Sequence, residues 1–307
     1  MLTRLLAAPV LIAVIAVAVG TGIDALVKGV APEAGLLYLL AWRFMFGGVI
    51  AFAIFRARKR PAPKAEAIRF HTLRGLLQLF CAFTFFYALT QLPLAAATAL
   101  GFTAALLVAP VARVVIGEKI SPVAVGATLL GFAGVALAVS GNAEAAAAAG
   151  EGKNRTLGLI SLFSSTIGYA FVLVLLRMRA TKEDATTIAM FTNVVPGLAL
   201  LPVTLGLFGF PALASIPIFL LFGLLGYIVW YLMTLAYARA PAQQLAPIEY
   251  TALVWSALLG LAFFDEWPAW QLWLGAVIII ASCLIVAFDG HFRTRREAGL
   301  PASDIPE

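Results

Sequence analysis

The chain is a succession of long apolar runs separated by short polar breaks. Runs of about 20 apolar residues, the length a helix needs to cross a bilayer, lie at roughly 8–29, 34–56, 72–91, 94–116, 121–141, 156–178, 185–208, 214–238, 242–264 and 268–288. The runs are continuous and do not alternate with period two, so they predict helices and not barrel strands. The pattern therefore predicts an all-α membrane protein of ten transmembrane helices. Only two breaks are long: the basic "RARKRPAPKAEAIRFH" after the second run and the alanine-rich "GNAEAAAAAGEGKNR" after the fifth.

Composition supports this reading. The chain is 63% hydrophobic and 12% charged, with a mean hydropathy of +1.00, whereas soluble domains are nearer half apolar and a quarter charged. The 21 Lys and Arg residues also set a direction. With the N-terminus inside, nearly all of them fall in inner segments: Arg4, the cluster from Arg56 to Arg74, Arg113 and Lys119, Arg177 to Lys182, Arg239, and Arg293 to Arg296. Only Lys153 and Arg155 fall in outer loops. This asymmetry predicts cytoplasmic termini. It also makes the net charge of +6 a topology signal and not a nucleic-acid patch,.

The two halves resemble each other. "ALGFTAALLVAPVARVVIGE" (Ala99–Glu118) aligns with "PIEYTALVWSALLGLAFFDE" (Pro247–Glu266) at an offset of 148, and "AWRFMFG" at 41–47 parallels "FTNVVPG" at 191–197. Each half holds five runs, an odd number, so the second copy must cross the membrane the opposite way. The loops agree: the one after the second run is basic and its counterpart after the seventh is uncharged. The expectation is two five-helix inverted-topology repeats, an architecture of transporters with a mid-membrane site between the halves.

With its ten runs, its five-plus-five inverted repeat and the Gly117-Glu118 and Asp265-Glu266 pairs closing the fourth and ninth runs, the sequence resembles the drug/metabolite transporter superfamily. It is most similar to the EamA-type members, and among these to the YddG-type aromatic and neutral amino-acid exporters of bacterial inner membranes. The likeness covers about residues 5–290. It implies a first repeat over 1–142, a periplasmic linker over 143–155, a second repeat over 156–290 and a cytoplasmic tail over 291–307. It also implies a cavity lined by runs 1, 3, 4, 6, 8 and 9, with the other four as buttresses.

Polar groups inside apolar runs are candidates for function. Asp24 and Lys28 share a helical face four residues apart, and Arg43 lies at a similar depth on the second run. They form either a structural ion pair or a coupling group. Gln78, Cys81 and Phe85 make one stripe, Ser165 and Tyr169 another, and Tyr227, Trp230 and Tyr231 an aromatic third,. Each stripe is also what polar helix-packing glue looks like. Phe102 and Tyr250 are counterparts in the repeat. Glu249, two residues after Pro247, either faces a cavity or pairs with Arg239. The two cysteines and two histidines suggest no metal site, and no cofactor-binding motif is present,.

Such a lining suits a small amphipathic solute. The expected function is secondary export of neutral, aromatic or hydrophobic amino acids and related metabolites by a monomer in the bilayer. The alternatives are a multidrug or quaternary-amine exporter and, from another class, a non-transporting membrane scaffold or membrane enzyme. No constellation of catalytic groups supports an enzyme.

Overall fold

A computed structural model of the chain describes residues 9–34, 36–91, 101–140, 154–265, 267 and 269–297. Among them every regular element is helical. The first-half helices are α1 (Pro9–Ala34), α2 (Leu36–Ala57), α3 (Ala65–Gln91), α4 (Thr103–Ile116) and α5 (Pro122–Ser140). The second half has α6 (Arg155–Ala180), α7 (Ala185–Phe208), α8 (Ile216–Arg239), α9 (Thr251–Phe264) and α10 (Trp270–Glu297). Among the described residues six segments are long and apolar enough to cross a membrane: Pro9–Leu26, Leu37–Ala57, Thr156–Ala180, Ala185–Phe208, Leu213–Arg239 and Ala242–Phe263. Thr103–Ile116, Pro122–Ala138 and Trp270–Val286 are shorter apolar helices. The chain is thus a multi-pass, all-helical membrane protein. The expected linker over 143–155 lies almost wholly outside the described residues.

Three boundaries depart from the hydropathy pattern. Helix α3 begins at Ala65, seven residues before its apolar run, just after Pro61 and Pro63. Helix α10 continues to Glu297 through a polar stretch whose Arg and Glu residues favour helix,. The ninth run is not one helix. A turn over Ala242–Leu245 passes into a 3-10 turn over Ala246–Tyr250 before α9 starts. Pro247 explains the break, because it has no N–H to donate one turn back. The Pro247 carbonyl is satisfied by the Cys283 thiol at 3.6 Å, and the Gln243 side chain spans the Lys119 carbonyl and the Ser121 N–H.

The helices pack in an exchange pattern. The most extensive interfaces are α5 with α10 and α2 with α7, each helix against the one at the same place in the other half. Several others come in matched pairs, α3–α6 with α1–α8, α4–α6 with α1–α9, and α3–α7 with α2–α8, whereas the α7–α8 and α6–α8 interfaces have no equal in the first half. Helices α2 and α7 run antiparallel, since Gly48 faces Val194 whereas Gly197 faces Phe44. Helices α4 and α9 are both 14 residues long and end alike. Gly117 (φ 69°) and Asp265 (φ 53°) are both left-handed caps, donating to the carbonyls of Ala112 and Gly260. Each pair is related by the same offset of 148. Left-handed backbone is easy for glycine and tolerated by aspartate, so the two residue types serve one geometry.

Candidate functional site

Helices α1, α2, α6, α8 and α9 and the 3-10 turn enclose a cavity of about 220 Å³. Its charged groups are Asp24, Arg43 and Glu249, and its rings are Tyr169 and Trp230. Gly20 and Ala16 on α1 leave the room. Asp24 is exposed, but into the cavity and not onto the flank of the bundle. The acid and Arg43 attract each other electrostatically. The side chain of Lys28, the other partner suggested by spacing, lies outside the described residues. Glu249 reaches the cavity because the 3-10 turn aims it inward. Its Oε1 has no hydrogen-bond partner among the described residues, and Arg239 is not its partner but lies exposed at the end of α8.

The remaining candidate residues lie away from this cavity. Ser165 donates to the Cys81 carbonyl at 2.8 Å, and Gly168 packs against the Cys81 sulfur, so these residues join α3 to α6. Gln78 is buried in α3 with its Oε1 unpartnered. Phe85 packs beside Gly101 and Phe86. Phe102 meets Tyr250 edge-on at 5.7 Å, counterpart to counterpart. Tyr227 stacks on Tyr231 at 5.9 Å, and Tyr231 accepts a hydrogen bond from Arg58 at 3.1 Å. The lining also differs from what the family resemblance implied. Helix α2 contributes Arg43, whereas α3 and α4 supply no lining residue.

Below the cavity, at the end of the bundle where the basic loops gather, ion pairs join the two halves. Arg60 pairs with Asp184 at 2.9 Å, His71 with Glu183 at 2.7 Å, Arg179 with Glu66 at 2.8 Å and Arg177 with Glu118 at 3.2 Å. Every one of these crosses from the first half to the second. Glu66 lies in the exposed first turn of α3, outside the apolar run. Its hydrogen bond from Arg179 holds the carboxyl below its usual range. Glu118 is the best placed of the acids: its Oε1 accepts from Arg177 and its Oε2 from the Ala242 N–H at 3.2 Å. Arg177 also donates to the Tyr237 carbonyl at 2.5 Å.

Glu118→Gln therefore lowers the thermal midpoint by several degrees, because it weakens two contacts of a half-buried carboxylate worth about 1–3 kcal/mol together. Asp184→Asn, at an exposed pair, changes stability by less than ~1 kcal/mol. Thermal unfolding in detergent separates the two. Equal midpoints for both variants would show that the Glu118 node holds nothing.

Two features in and beside the cavity were not legible from the sequence pattern. Arg74, counted among the loop arginines, is 1% exposed and is the largest fully buried side chain among the described residues. Its only clue is its place nine residues into α3, one turn before Gln78. Arg43 was legible as a charge but not as a lining residue. Among the described residues no group of three or more His, Cys, Asp or Glu side chains could hold a metal ion.

Comparison with known proteins fits this architecture. A riboflavin transporter of Rhizobium johnstonii is 26% identical over 261 residues, covering 84% of this chain and 82% of that protein. An S-adenosylmethionine uptake transporter of Rickettsia bellii is 23% identical, covering 81% of this chain and 82% of its own. An uncharacterized transporter of Helicobacter pylori is 28% identical over 249 residues, 78% of this chain and 79% of that one. A protein crystal structure, 21% identical, superposes with a TM-score of 0.72 over 91% of this chain and 97% of the other, and so shares the fold. The sequence profile of the EamA-like transporter family matches twice, over residues 5–140 and 156–288. These matches span most of the chain and point to a transporter, not an enzyme, and the chain belongs to the EamA-like transporter family.

Proposed function

We propose that this chain is a secondary transporter working by alternating access between two inverted five-helix repeats, 1–142 and 156–290, joined by 143–155. The repeat reading is supported by the exchange pattern of helix packing, the antiparallel counterparts, the paired caps at Gly117 and Asp265, and the twofold family match. It sits in a bacterial inner membrane with both termini cytoplasmic, as the basic loops favour and as the bacterial relatives suggest.

The observation that carries the substrate reading is the cavity itself. It offers one guanidinium and two carboxylates at its charged positions and two aromatic faces between. A guanidinium suits a carboxylate, a carboxylate suits an ammonium, and an indole or phenol face suits an apolar or aromatic side chain. A zwitterion with a hydrophobic side chain meets all of these, so neutral aromatic or large hydrophobic amino acids are the first substrate class, moved outward down their own or a proton gradient. A second reading follows from the names of the relatives. Riboflavin and S-adenosylmethionine each join a planar ring system to a polar tail, and the same cavity groups suit such solutes.

Counterflow in proteoliposomes tests both readings. Liposomes loaded with unlabelled tryptophan should accumulate labelled tryptophan, phenylalanine or leucine saturably. Saturable flux of riboflavin or S-adenosylmethionine with no amino-acid flux would replace the first reading by the second, and no flux of any of them would sink both.

A further inference from the structure

We infer that Arg74 is a second anion-binding residue of the transport path, which takes the solute carboxylate on the basic-end side of Trp230. The inference deepens the proposed transport function and rests on it.

A buried guanidinium carries five N–H donors and a charge that burial makes costly unless paired. Arg74 spends one nitrogen on the Thr192 hydroxyl, while its Nε and Nη1 have no partner among the described residues. No carboxylate among the described residues lies within ion-pair distance of it. The acid that acts on it electrostatically, Glu183, is already bonded to His71 at 2.7 Å and Arg179 at 3.2 Å. Arg43 presents a contrast. It forms no ion pair with a described residue either, but Asp24 lines the same cavity and is bonded to no other described base, whereas Glu183 is held by His71 and Arg179.

Position supplies the ligand class. The Arg74 guanidinium sits 5.9 Å from the centre of the Trp230 ring, and Trp230 is itself a wall of the cavity. Arg74 lies about nine residues in from the basic end of α3, and Trp230 lies nine residues from the basic end of α8. The indole therefore stands between the solute space and an unspent cation at one depth. When the ion pairs at the basic end part and the cavity opens that way, the two free nitrogens face the path. Each flanks Nη2, whose second N–H is not used by Thr192, so Nε or Nη1 together with that N–H forms a flat donor edge that a carboxylate fits,. The same carboxylate would then meet Arg43 from one side of the membrane and Arg74 from the other.

The test uses full-length protein in oriented proteoliposomes, with phenylalanine and its decarboxylated analogue phenethylamine. Arg74→Gln should raise the half-saturation concentration for phenylalanine at the basic face at least tenfold, with Arg74→Lys intermediate. It should leave phenethylamine flux, and the opposite face, within twofold of wild type. Equal loss of both solutes, or no change for phenylalanine, would overturn the inference and leave Arg74 a packing residue. A wild type that moves no phenylalanine would instead count against the substrate reading. In that case thermal stabilisation by phenylacetate, but not by phenylacetamide, still decides the anion site. That stabilisation should be reduced but not abolished in Arg43→Gln, be reduced in Arg74→Gln, and vanish when both are replaced; an undiminished effect in Arg74→Gln would overturn the inference. If Arg74→Gln does not fold, complete loss of the stabilisation in Arg43→Gln overturns the assignment.

Discussion

Gly223→Leu leaves no folded, monodisperse protein, and Gly223→Ala lowers the thermal midpoint by roughly 5–10 °C. Helices α2, α7 and α8 meet where glycines remove the side-chain layer between them. A carbon added at Gly223 would lie 2.5 Å from the Gly47 nitrogen and 2.8 Å from the Phe46 carbonyl carbon. Both are backbone atoms of α2, so no rotamer change relieves the clash. A carbon added at Gly47 would in turn lie 2.8 Å from the Asn193 Oδ1 on α7. Overpacking costs about 1–3 kcal/mol where side chains can yield, and a leucine against fixed backbone exceeds that. Total stabilities are only about 5–15 kcal/mol, so the larger residue consumes most of the margin. Gly206, with nothing within 4 Å of its added carbon, is the control: Gly206→Ala should be neutral or slightly stabilising, since alanine favours helix. Thermal unfolding and size-exclusion profiles of the three variants give the result. A Gly223→Ala midpoint equal to that of Gly206→Ala would mean that α2 and α8 do not approach as closely as described.

The same glycines show what sequence could and could not convey. Helix positions followed from run length, because lipid forces each backbone segment to satisfy itself. The break at Pro247 has its cause in a missing donor, although run length alone reads the ninth run as one helix,. The offset of 148 that aligned Ala99–Glu118 with Pro247–Glu266 carried over to two equal helices with equal caps. What periodicity could not give was the neighbour of each polar face. A buried helix has several covered faces, and a Ser-Cys stripe looks the same whether it meets a cavity or another helix. Ser165 bonds the Cys81 carbonyl across the α3–α6 seam, a contact that depends on the register of two helices 84 residues apart in the chain. Arg74 was hidden for a related reason. Counting basic residues near apolar edges treats each as solvated, yet α3 starts early enough at Ala65 to carry this one inside. Glu249 was legible because a carboxylate two residues after a proline, within an apolar run, is unusual at any register.

Replacing that carboxylate is the most informative test of the transport site. Glu249→Gln should cut counterflow of zwitterionic solutes by about 10- to 100-fold, the equivalent of losing a charge-assisted hydrogen bond of roughly 1.5–3 kcal/mol. The side chain lines the cavity and has an oxygen without a partner among the described residues. Its neighbours in the interior include the phenols of Tyr169 and Tyr237, which bring no positive charge to answer it. An ionisable group held at membrane depth on such terms is costly to keep, and a purely structural role would be served equally well by glutamine. The amide preserves size, removes the charge and turns one acceptor oxygen into an NH2 donor, so the variant should fold at least as stably as wild type while losing transport. Removing an uncompensated buried charge tends to stabilise. Counterflow runs without an imposed proton gradient, which separates the two things the carboxylate can do. Loss of counterflow assigns Glu249 to the solute's ammonium. Normal counterflow, with gradient-driven accumulation abolished, assigns it to proton coupling instead. Wild-type rates in both assays would remove Glu249 from the mechanism and leave the cavity without a group to recognise a cation other than Asp24, which already answers Arg43.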